Sequence, residues 1–470
     1  MQEDRIRISY VVTDYVATLV GVVVFNALRY LTVPGLSGRY AGTGQFMLTH
    51  GVILSLLLFP PFMLLIYYLT GYYVRVYNKS RIKELAKTFV AVALGAVSFF
   101  LVVLLNDVLP RRVFNYEVLM LFGCVLFLCV YTARVSLTTH YLHSQHRPGG
   151  ARPTIVVADV DDMPERIERL RVIASQHGMV ISAIADISGR GGVVEDIHVI
   201  GLDDMTPLCA HGDVSCVMLV ADTLSADKML SVINRIFPLG LPLFVSPDIR
   251  ALLMGTLRYE AVMTEPLVDI SRSELPDSVV AIKRFTDICI SSIGLLIALP
   301  VMAVLGVIIK RQSPGPVIYS QERIGYHKRP FMLYKLRSMY DHAEPDGPKL
   351  ASPEDMRITP IGRVMRKYRL DELPNLWNVF KGDMSIVGPR PERRYYIDRI
   401  IERVPHYTLV HQVRPGLTSW GMVKYGYASD VDGMVERLKY DMLYLQNMSL
   451  SLDMRIIYYT LFTVIRGEGK

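Results

Sequence analysis

The sequence predicts a multidomain membrane protein: a four-helix transmembrane bundle, a Rossmann-like α/β domain, and a mostly α C-terminal domain with a re-entrant membrane helix and a β-hairpin. Three observations support this. Apolar residues make up 51% of the 470-residue chain, at a mean hydropathy of +0.30, and they are concentrated rather than spread. The middle third alternates short apolar runs with helical periodicity. A further apolar run with a central proline then leads into a strongly basic region. Boundaries are expected at 1–136 for the bundle, 137–153 for a linker, 154–275 for the α/β domain and 276–470 for the last domain.

Four apolar stretches, 10–31, 46–69, 89–109 and 113–131, each come near the ~20 residues that cross a bilayer. Pro60 and Pro61 interrupt the second, as a bundled span allows. The first lacks a short apolar region followed by a small-residue cleavage site, so no cleavable signal is expected. Basic residues cluster before the first stretch (Arg5, Arg7), between the second and third (Arg75, Lys79, Arg81, Lys83, Lys87) and after the fourth (Arg134, Arg147, Arg152). The opposite loops hold Arg39, Arg111 and Arg112. This asymmetry predicts that both ends of the bundle, and everything after it, are cytoplasmic. A net charge of +7 fits contact with anionic lipid or an anionic substrate. Nucleic acid is not expected, because the charge accompanies membrane spans. The five cysteines show no metal-type spacing and read as reduced structural thiols. His140, His143 and His146 are expected in an interfacial loop rather than a metal site.

In the middle region TIVVADV, MVISAIADI, VSCVMLVAD and PLFVSPDI read as buried parallel strands, with crossover helices at 164–176 and 226–236. The first strand runs into Asp159, Asp161 and Asp162, where a dinucleotide binder needs glycines and would be repelled by carboxylates. A scaffold or homodimerisation role is therefore expected for this domain.

The next apolar run, 285–309, has Pro300 in its middle and basic pairs at both ends, Lys283–Arg284 and Lys310–Arg311. A straight span would put one pair on the wrong face. A helix broken at Pro300 would return both to the same face, giving a re-entrant element over 283–311. Ser291 and Ser292 are candidates for bonding the carbonyls that such a break frees.

The densest chemistry lies in RLDELPNLWNVFKGDMSIVGPRP, 369–391. Pro374 predicts a helix opening at the acidic pair Asp371 and Glu372, with Leu373 pushed toward an extended conformation. The helix dipole, with Arg366, Lys367 and Arg369 upstream, would favour two ionised carboxylates able to bind Mg²⁺ or attack phosphorus. Their blander reading is a cap and a first-turn charge. A hairpin is expected around 325–330, and Lys335 and Arg337, two apart on one strand face, would suit phosphates. Arg390, held in the proline-rich turn 387–392, suits a fixed bidentate contact. Arg414, in VRPGLTSW, either closes over a ligand or belongs to a structural turn. The segment 435–465, including Arg437, reads as an interfacial amphipathic helix.

From about 277 onward the chain resembles the bacterial sugar transferases, the polyprenyl-phosphate hexose-1-phosphate transferases or monotopic phosphoglycosyl transferases. The motifs are KRFTDI, the proline-broken hairpin, SPGPVIYSQERIG, YKLRSM, RLDELPNLWNVFKGDMSIVGPRPE and VRPGLTSW. The spans and the degenerate Rossmann-like domain resemble the long, WbaP-like form. The resemblance implies transfer of a sugar 1-phosphate from a UDP-sugar to undecaprenyl phosphate, with release of UMP. The implied setting is the cytoplasmic face of the bacterial inner membrane, at the first membrane step of exopolysaccharide, capsule or O-antigen synthesis. It also implies Asp371 as nucleophile, forming a phosphosugar–aspartate, and Glu372 as the partner that positions Mg²⁺ or assists deprotonation. Lys335, Arg337 and Arg369 would hold phosphates, and Arg390 the UMP half. Two departures stand out: Leu299 where many such hairpins have serine, and Ser419 where glycine is frequent. A membrane-bound nucleotide-sugar dehydratase or epimerase would need the missing glycine fingerprint and a Y-x-x-x-K couple. A non-enzymatic assembly scaffold would not need the intact dyad. A hydrolase would use the same dyad with water in place of the lipid phosphate.

Overall fold

The computed structural model describes residues 2–33, 36–74, 81–101, 112–145, 151–211, 213–220, 224–239, 241–245, 267–269, 275–341, 355–426, 428 and 430–466. It divides into two compact units. One is Met1–Arg147 with Leu275–Phe285, and the other is Pro148–Glu274 with Thr286–Lys470.

The first unit is built on helices α1 (Gln2–Thr32), α2 (His50–Leu69), α3 (Arg81–Phe99) and α4 (Arg112–Gln145). Among the described residues four helices are long and apolar enough to cross a membrane: Arg5–Thr32, His50–Leu69, Tyr116–Tyr141 and Asp277–Gln312. These are not quite the expected four. The third expected span, 89–109, starts on α3, and its residues 102–109 lie outside the described residues. Pro60 and Pro61 sit inside α2 without ending it. The helix α4 runs on to Gln145, so the first half of the expected linker, with His140, is helical; no proline or glycine intervenes before Pro148. His146 lies outside the described residues.

Phe25, Phe59, Phe99 and Phe122 interlock at the bundle's centre, with ring centroids between 4.4 and 6.1 Å apart. Beside them is a buried polar knot. Arg134 grips Asp14 with two nitrogens at 2.7 and 2.8 Å, donates to Thr88 at 2.8 Å, and lies 3.5 Å over the Tyr72 ring. Tyr73 donates to the same aspartate at 2.7 Å, and Glu84 accepts from Tyr72 and Thr138. A charge in an apolar bundle persists only when paired and fully hydrogen-bonded. Arg134→Met is therefore expected to destabilise the bundle by about 3–5 kcal/mol, because it strands Asp14. Adding Asp14→Asn should recover much of the loss, as read by unfolding in detergent.

The α/β domain carries a seven-stranded sheet in the order β3-β4-β2-β1-β5-β6-β7. Its strands are β1 (Arg152–Ala158), β2 (Met179–Asp186), β3 (Gly192–Val194), β4 (Ile197–Gly201), β5 (Cys216–Leu219), β6 (Leu243–Val245) and β7 (Val268–Asp269). The four expected strands are β1, β2, β5 and β6, all parallel, and the edge strands β3 and β7 run antiparallel to their neighbours. The expected crossovers are α5 (Met163–Gln176) and α6 (Ala226–Ile236). The acidic loop after β1 is partly offset from within the domain. Arg190 bridges Asp159 and Asp161, each at 2.9 Å, and buried Asp186 accepts from the backbone N–H groups of Val160 and Arg190.

The last part opens with α7 (Asp277–Gln312), one continuous helix with Pro300 inside it. The expected division into two helices at Pro300 is not seen. Pro300 cannot donate to the carbonyl of Leu296. Ser291 and Ser292 do not supply that bond, since both donate to the Ile288 carbonyl, at 3.1 and 2.7 Å. From residue 286 on, α7 lies along the rest of its unit. The Asp287 carboxylate accepts from Ile386 N at 2.9 Å, Ala298 packs in a cluster with Leu333 and Leu376, and Leu305 and Ile309 pack with Leu336 and Met365. Ile293, Leu296, Ile297 and Val304 are exposed.

The hairpin expected around 325–330 is β8 (Ile318–Ile324) paired antiparallel with β9 (Pro330–Leu336). Then come α8 (Pro360–Lys367), α9 (Asn375–Lys381), β10 (Ser385–Val387), α10 (Arg394–Arg403) and β11 (Gly416–Thr418), the last parallel to β10. The closing segment is two helices, α11 (Val431–Gln446) and α12 (Leu450–Arg466). Arg437 on α11 is buried against Glu392, not at an interface.

His411 is buried, with Nδ1 donating to the Gly325 carbonyl at 3.1 Å. Burial, helped by Lys328, pulls its pKa from the usual 6.5 down to about 3, against the Gly325 bond. The unfolded chain therefore binds the proton more readily. The stability this provides is complete above about pH 6.5 and falls as pH drops toward 3. Folding should be weaker by ~2 kcal/mol at pH 5 than at pH 7, and His411→Asn should flatten that slope in denaturant titrations.

Candidate active site

Four stretches converge on one place: β9, the turn at 369–372, the loop 387–392 and the loop 413–418. Arg369 adopts a left-handed backbone, φ +55°, which turns the chain out of α8 into a 3-10 turn, Leu370–Glu372. Leu373 is helical (φ −52°, ψ −40°), not extended. The turn continues directly into α9 because Leu376 N and Trp377 N donate to the Leu373 and Pro374 carbonyls at 3.1 and 3.0 Å. Pro374 sits where the helix needs no N–H. Successive residues of a 3-10 turn point about 120° apart, so Asp371 and Glu372 face different directions.

The two carboxylates are unequal. Lys335 Nζ donates to Glu372 Oε1 at 2.8 Å, and Arg369 Nη1 stands 3.7 Å from Oε2. Burial pushes the Glu372 carboxyl up, but Lys335, Arg390 and Arg369 together outweigh it and bring it to about 2. Asp371 moves the other way. Burial raises it, with the Glu372 charge adding to the effect, against Lys335 and Arg366. The expected pair of equally ionised carboxylates is thus one firmly held anion beside a more basic partner.

A pocket opens here, lined by Arg323, Lys335, Glu372, Asn375, Arg390 and Gly416, among others. Lys335, Glu372 and Arg390 meet as the sequence suggested. Arg369 adjoins through Glu372, and Asp371 lies beside the pocket rather than in its lining. Arg337 goes elsewhere. It stands past the end of β9, where strand alternation no longer applies, and donates to the carbonyls of Ser313 (2.8 Å) and Pro314. Arg414 is half-buried, makes no hydrogen bond or ion pair among the described residues, and is not in the lining.

The loops carrying Arg390 and Arg414 lock together through two glycines. Gly388 N donates to Thr418 O at 3.0 Å and Gly416 N to Pro389 O at 2.9 Å, and a Cβ on either glycine would collide with the other loop's backbone. Ser419 has a local task, accepting from Met422 N at 3.0 Å to cap a short helix, which glycine could not do. Sequence reasoning missed Arg323, Asn375 and Glu392 as parts of the site. Buried Glu392 accepts from Arg437 at 2.6 Å and Arg323 at 3.4 Å, with Arg390 Nε 3.8 Å away, so one carboxylate orients two pocket arginines. Asn375, 3% exposed, has a buried carboxamide oxygen with no hydrogen-bond partner. Among the described residues no three or more His, Cys, Asp or Glu form a metal cage. Asp371 and Glu372 do supply the one or two carboxylates that Mg²⁺ takes when phosphates and water complete its shell, so the donor set fits the expected ion in that mode.

The family model described as bacterial sugar transferase matches residues 278–467. A UDP-glucose:undecaprenyl-phosphate glucose-1-phosphate transferase of Caulobacter vibrioides is 38% identical over 191 residues, 40% of this chain and 71% of that relative. The chain belongs to the bacterial sugar transferase family. A UDP-N-acetylgalactosamine-undecaprenyl-phosphate N-acetylgalactosaminephosphotransferase of Aeromonas hydrophila is 39% identical over 230 residues, 49% of this chain. That match spans 53% of the Aeromonas protein. A UDP-glucose:undecaprenyl-phosphate glucose-1-phosphate transferase of Klebsiella pneumoniae is 28% identical over 310 residues, 65% of this chain and 67% of that relative.

In a sugar transferase, an unpartnered buried carboxamide oxygen in the pocket wall calls for a hydrogen-bond donor on the ligand. Asn375→Ala should raise the KM for the sugar donor about tenfold with little change in kcat, the pattern of a lost ground-state contact. Steady-state kinetics over a donor series would read it.

Proposed function

We propose that this sugar transferase moves a hexose 1-phosphate from a UDP-sugar to undecaprenyl phosphate and releases UMP, with Asp371 as the nucleophile. The observation that supports this most directly is the inequality of the dyad. Glu372 is pinned and only weakly basic, whereas burial leaves Asp371 the more basic oxygen, which is the better nucleophile once deprotonated. The Asp371 carboxylate attacks the β-phosphorus, the bond to UMP breaks, and a phosphosugar–aspartate forms. An oxygen of the lipid phosphate then attacks that phosphorus and frees Asp371. Lys335, Arg323 and Arg390 bring positive charge to the pocket that would take the diphosphate, with Arg369 holding Glu372 and Arg414 available to close over the nucleotide. Arg337 acts indirectly, by fixing the turn at Ser313 and Pro314. Mg²⁺ held by Asp371, Glu372 and the donor phosphates would offset repulsion between an anionic nucleophile and an anionic substrate.

The same reading holds α7 as a re-entrant or in-plane element. At about 54 Å it is much longer than the ~30 Å hydrocarbon core, and residues on both sides of Pro300 pack against one module. A perpendicular span would carry one end away from that module. The basic loops favour the cytoplasmic face of the bacterial inner membrane and a role at the start of surface-polysaccharide assembly.

The test is UMP release from UDP-glucose, UDP-N-acetylgalactosamine and related donors by protein in nanodiscs, with and without undecaprenyl phosphate. Lipid-dependent release is expected, with Asp371→Asn lowering the rate by a factor on the order of 10³ or more. Turnover without lipid would identify a hydrolase, and an active Asp371→Asn would remove this residue from the nucleophile's role.

A further inference from the structure

The α/β domain supplies none of the pocket's lining residues, yet it grips the turn of the hairpin that supplies three of them, Arg323, Leu333 and Lys335. That turn is strained. His327 and Lys328 both have φ near +55°, a region that residues with a Cβ avoid. Both are held from the C-terminal end of α6. Lys328 Nζ donates to the Asn234 carbonyl at 3.4 Å, where a helix has unpaired carbonyls and its dipole favours a cation. The Phe237 ring lies against that of His327, with centroids 5.6 Å apart. The Asn234 side chain secures the other side, donating to Pro405 O at 3.0 Å and accepting from Thr408 Oγ1. The 405–412 turns then return to the hairpin through His411, whose Nδ1 donates to Gly325 O at 3.1 Å. The contacts form a closed ring from Asn234 through Thr408, His411 and Gly325 to Lys328.

From the turn the effect has a short path to the chemistry. Arg323 stands opposite Phe331 and Lys335 opposite Tyr319 in the β8–β9 ladder. Lys335 holds Glu372, and Arg323 bonds the Pro391 carbonyl and Glu392. A hairpin that slackens at its turn would let Arg323 drift, since it stands in the second pair from that turn, whereas Lys335 lies near the open end.

We propose that Asn234 is a positioning residue: its side chain ties the 405–412 turns, and through His411 the strained 327–328 turn, to the end of α6, so that the α/β domain sets Arg323 in the anion pocket. This rests on the transferase reading of that pocket. It gives the domain a task that its acidic, arginine-filled loop after β1 does not. The Caulobacter relative is little more than half as long as this chain, with no room for both the bundle and the full α/β domain, so the clamp tunes the chemistry rather than making it possible.

The experiment compares full-length wild type, Asn234→Ala and Thr408→Val in nanodiscs, by donor kinetics with UDP-glucose and UDP-N-acetylgalactosamine and by hydrogen exchange over 318–336. Both variants should raise the donor KM between about 10- and 100-fold, the scale of a small displacement of positioned groups, and the hairpin should lose protection. Unfolding of the protein as a whole should be unchanged. The decisive arm adds His327→Gly and Lys328→Gly to Asn234→Ala. Glycine adopts the left-handed turn without help, so the donor KM should return toward wild type. A merely structural Asn234 would show no such rescue. Wild-type KM and exchange in both single variants, or failure of the glycines to restore a raised KM, would overturn the clamp. If the wild type transfers nothing, the transferase reading falls, and hairpin exchange in the variants decides the clamp by itself.

Discussion

Keeping Glu372 ionised while buried is the constraint around which the catalytic unit is arranged. An anion removed from water survives only among cations with good geometry, and no local stretch of chain can supply three. Lys335 comes from a hairpin, Arg369 from a left-handed residue at the end of α8, and Arg390 from a proline-stiffened loop. Each arrives on a rigid element of a different kind. The glycines at 388 and 416 let the loop that carries Arg390 lie back to back against its neighbour, since a Cβ on either would meet the other loop's backbone.

Burying Glu372 with its cations creates a second problem one layer down, because Arg323 and Arg390 would repel each other. Glu392 answers it. Burial pushes its carboxyl up, but Arg437, Arg323 and Arg390 hold it below the usual range, so it stays ionised. The bundle unit solves an analogous problem with Asp14, Arg134 and Glu84, using tyrosine and threonine hydroxyls as the remaining donors. In both units the charged groups specify which elements must meet, while the apolar surface around them supplies most of the stabilisation.

What was legible in the sequence follows from this. Asp371, Glu372, Pro374 and Arg390 lie within twenty residues, and their local chemistry announces itself without tertiary information. The long parallel strands were legible because buried strands are nearly continuous apolar runs. The strands β3 and β7 were too short to show a period, and β4 is broken as an apolar run by His198. Arg437 could not be told from Lys439 two residues on, although one lies buried on Glu392 and the other pairs with Glu436 at the surface. Arg337 misled for a related reason. Alternation placed it with Lys335, but the strand ends at Leu336, and strand periodicity says nothing past a strand's last residue. The direction of the shift at Asp371 was misjudged because a helix dipole contributes a few tenths to one kcal/mol at a surface, whereas burial, invisible in a local motif, carries more weight at this depth.

The pocket's charge narrows what can enter it. Three cations, Arg323, Lys335 and Arg390, face it against one lining carboxylate, Glu372, with Glu392 behind them shared among Arg323, Arg390 and Arg437. Such a pocket is under-neutralised until an anion arrives, which suits a diphosphate better than a neutral sugar or a singly charged nucleophile. It also bears on order of events. A diphosphate drawing on the same Lys335 that pins Glu372 would loosen the hold on Glu372 just when a second negative charge appears beside it. On the proposed mechanism the resulting repulsion would fall on Asp371 as well, and would ease when Asp371 gives up its charge to the new bond with phosphorus. In that sense the geometry that makes the buried dyad costly to hold also favours the step that consumes it.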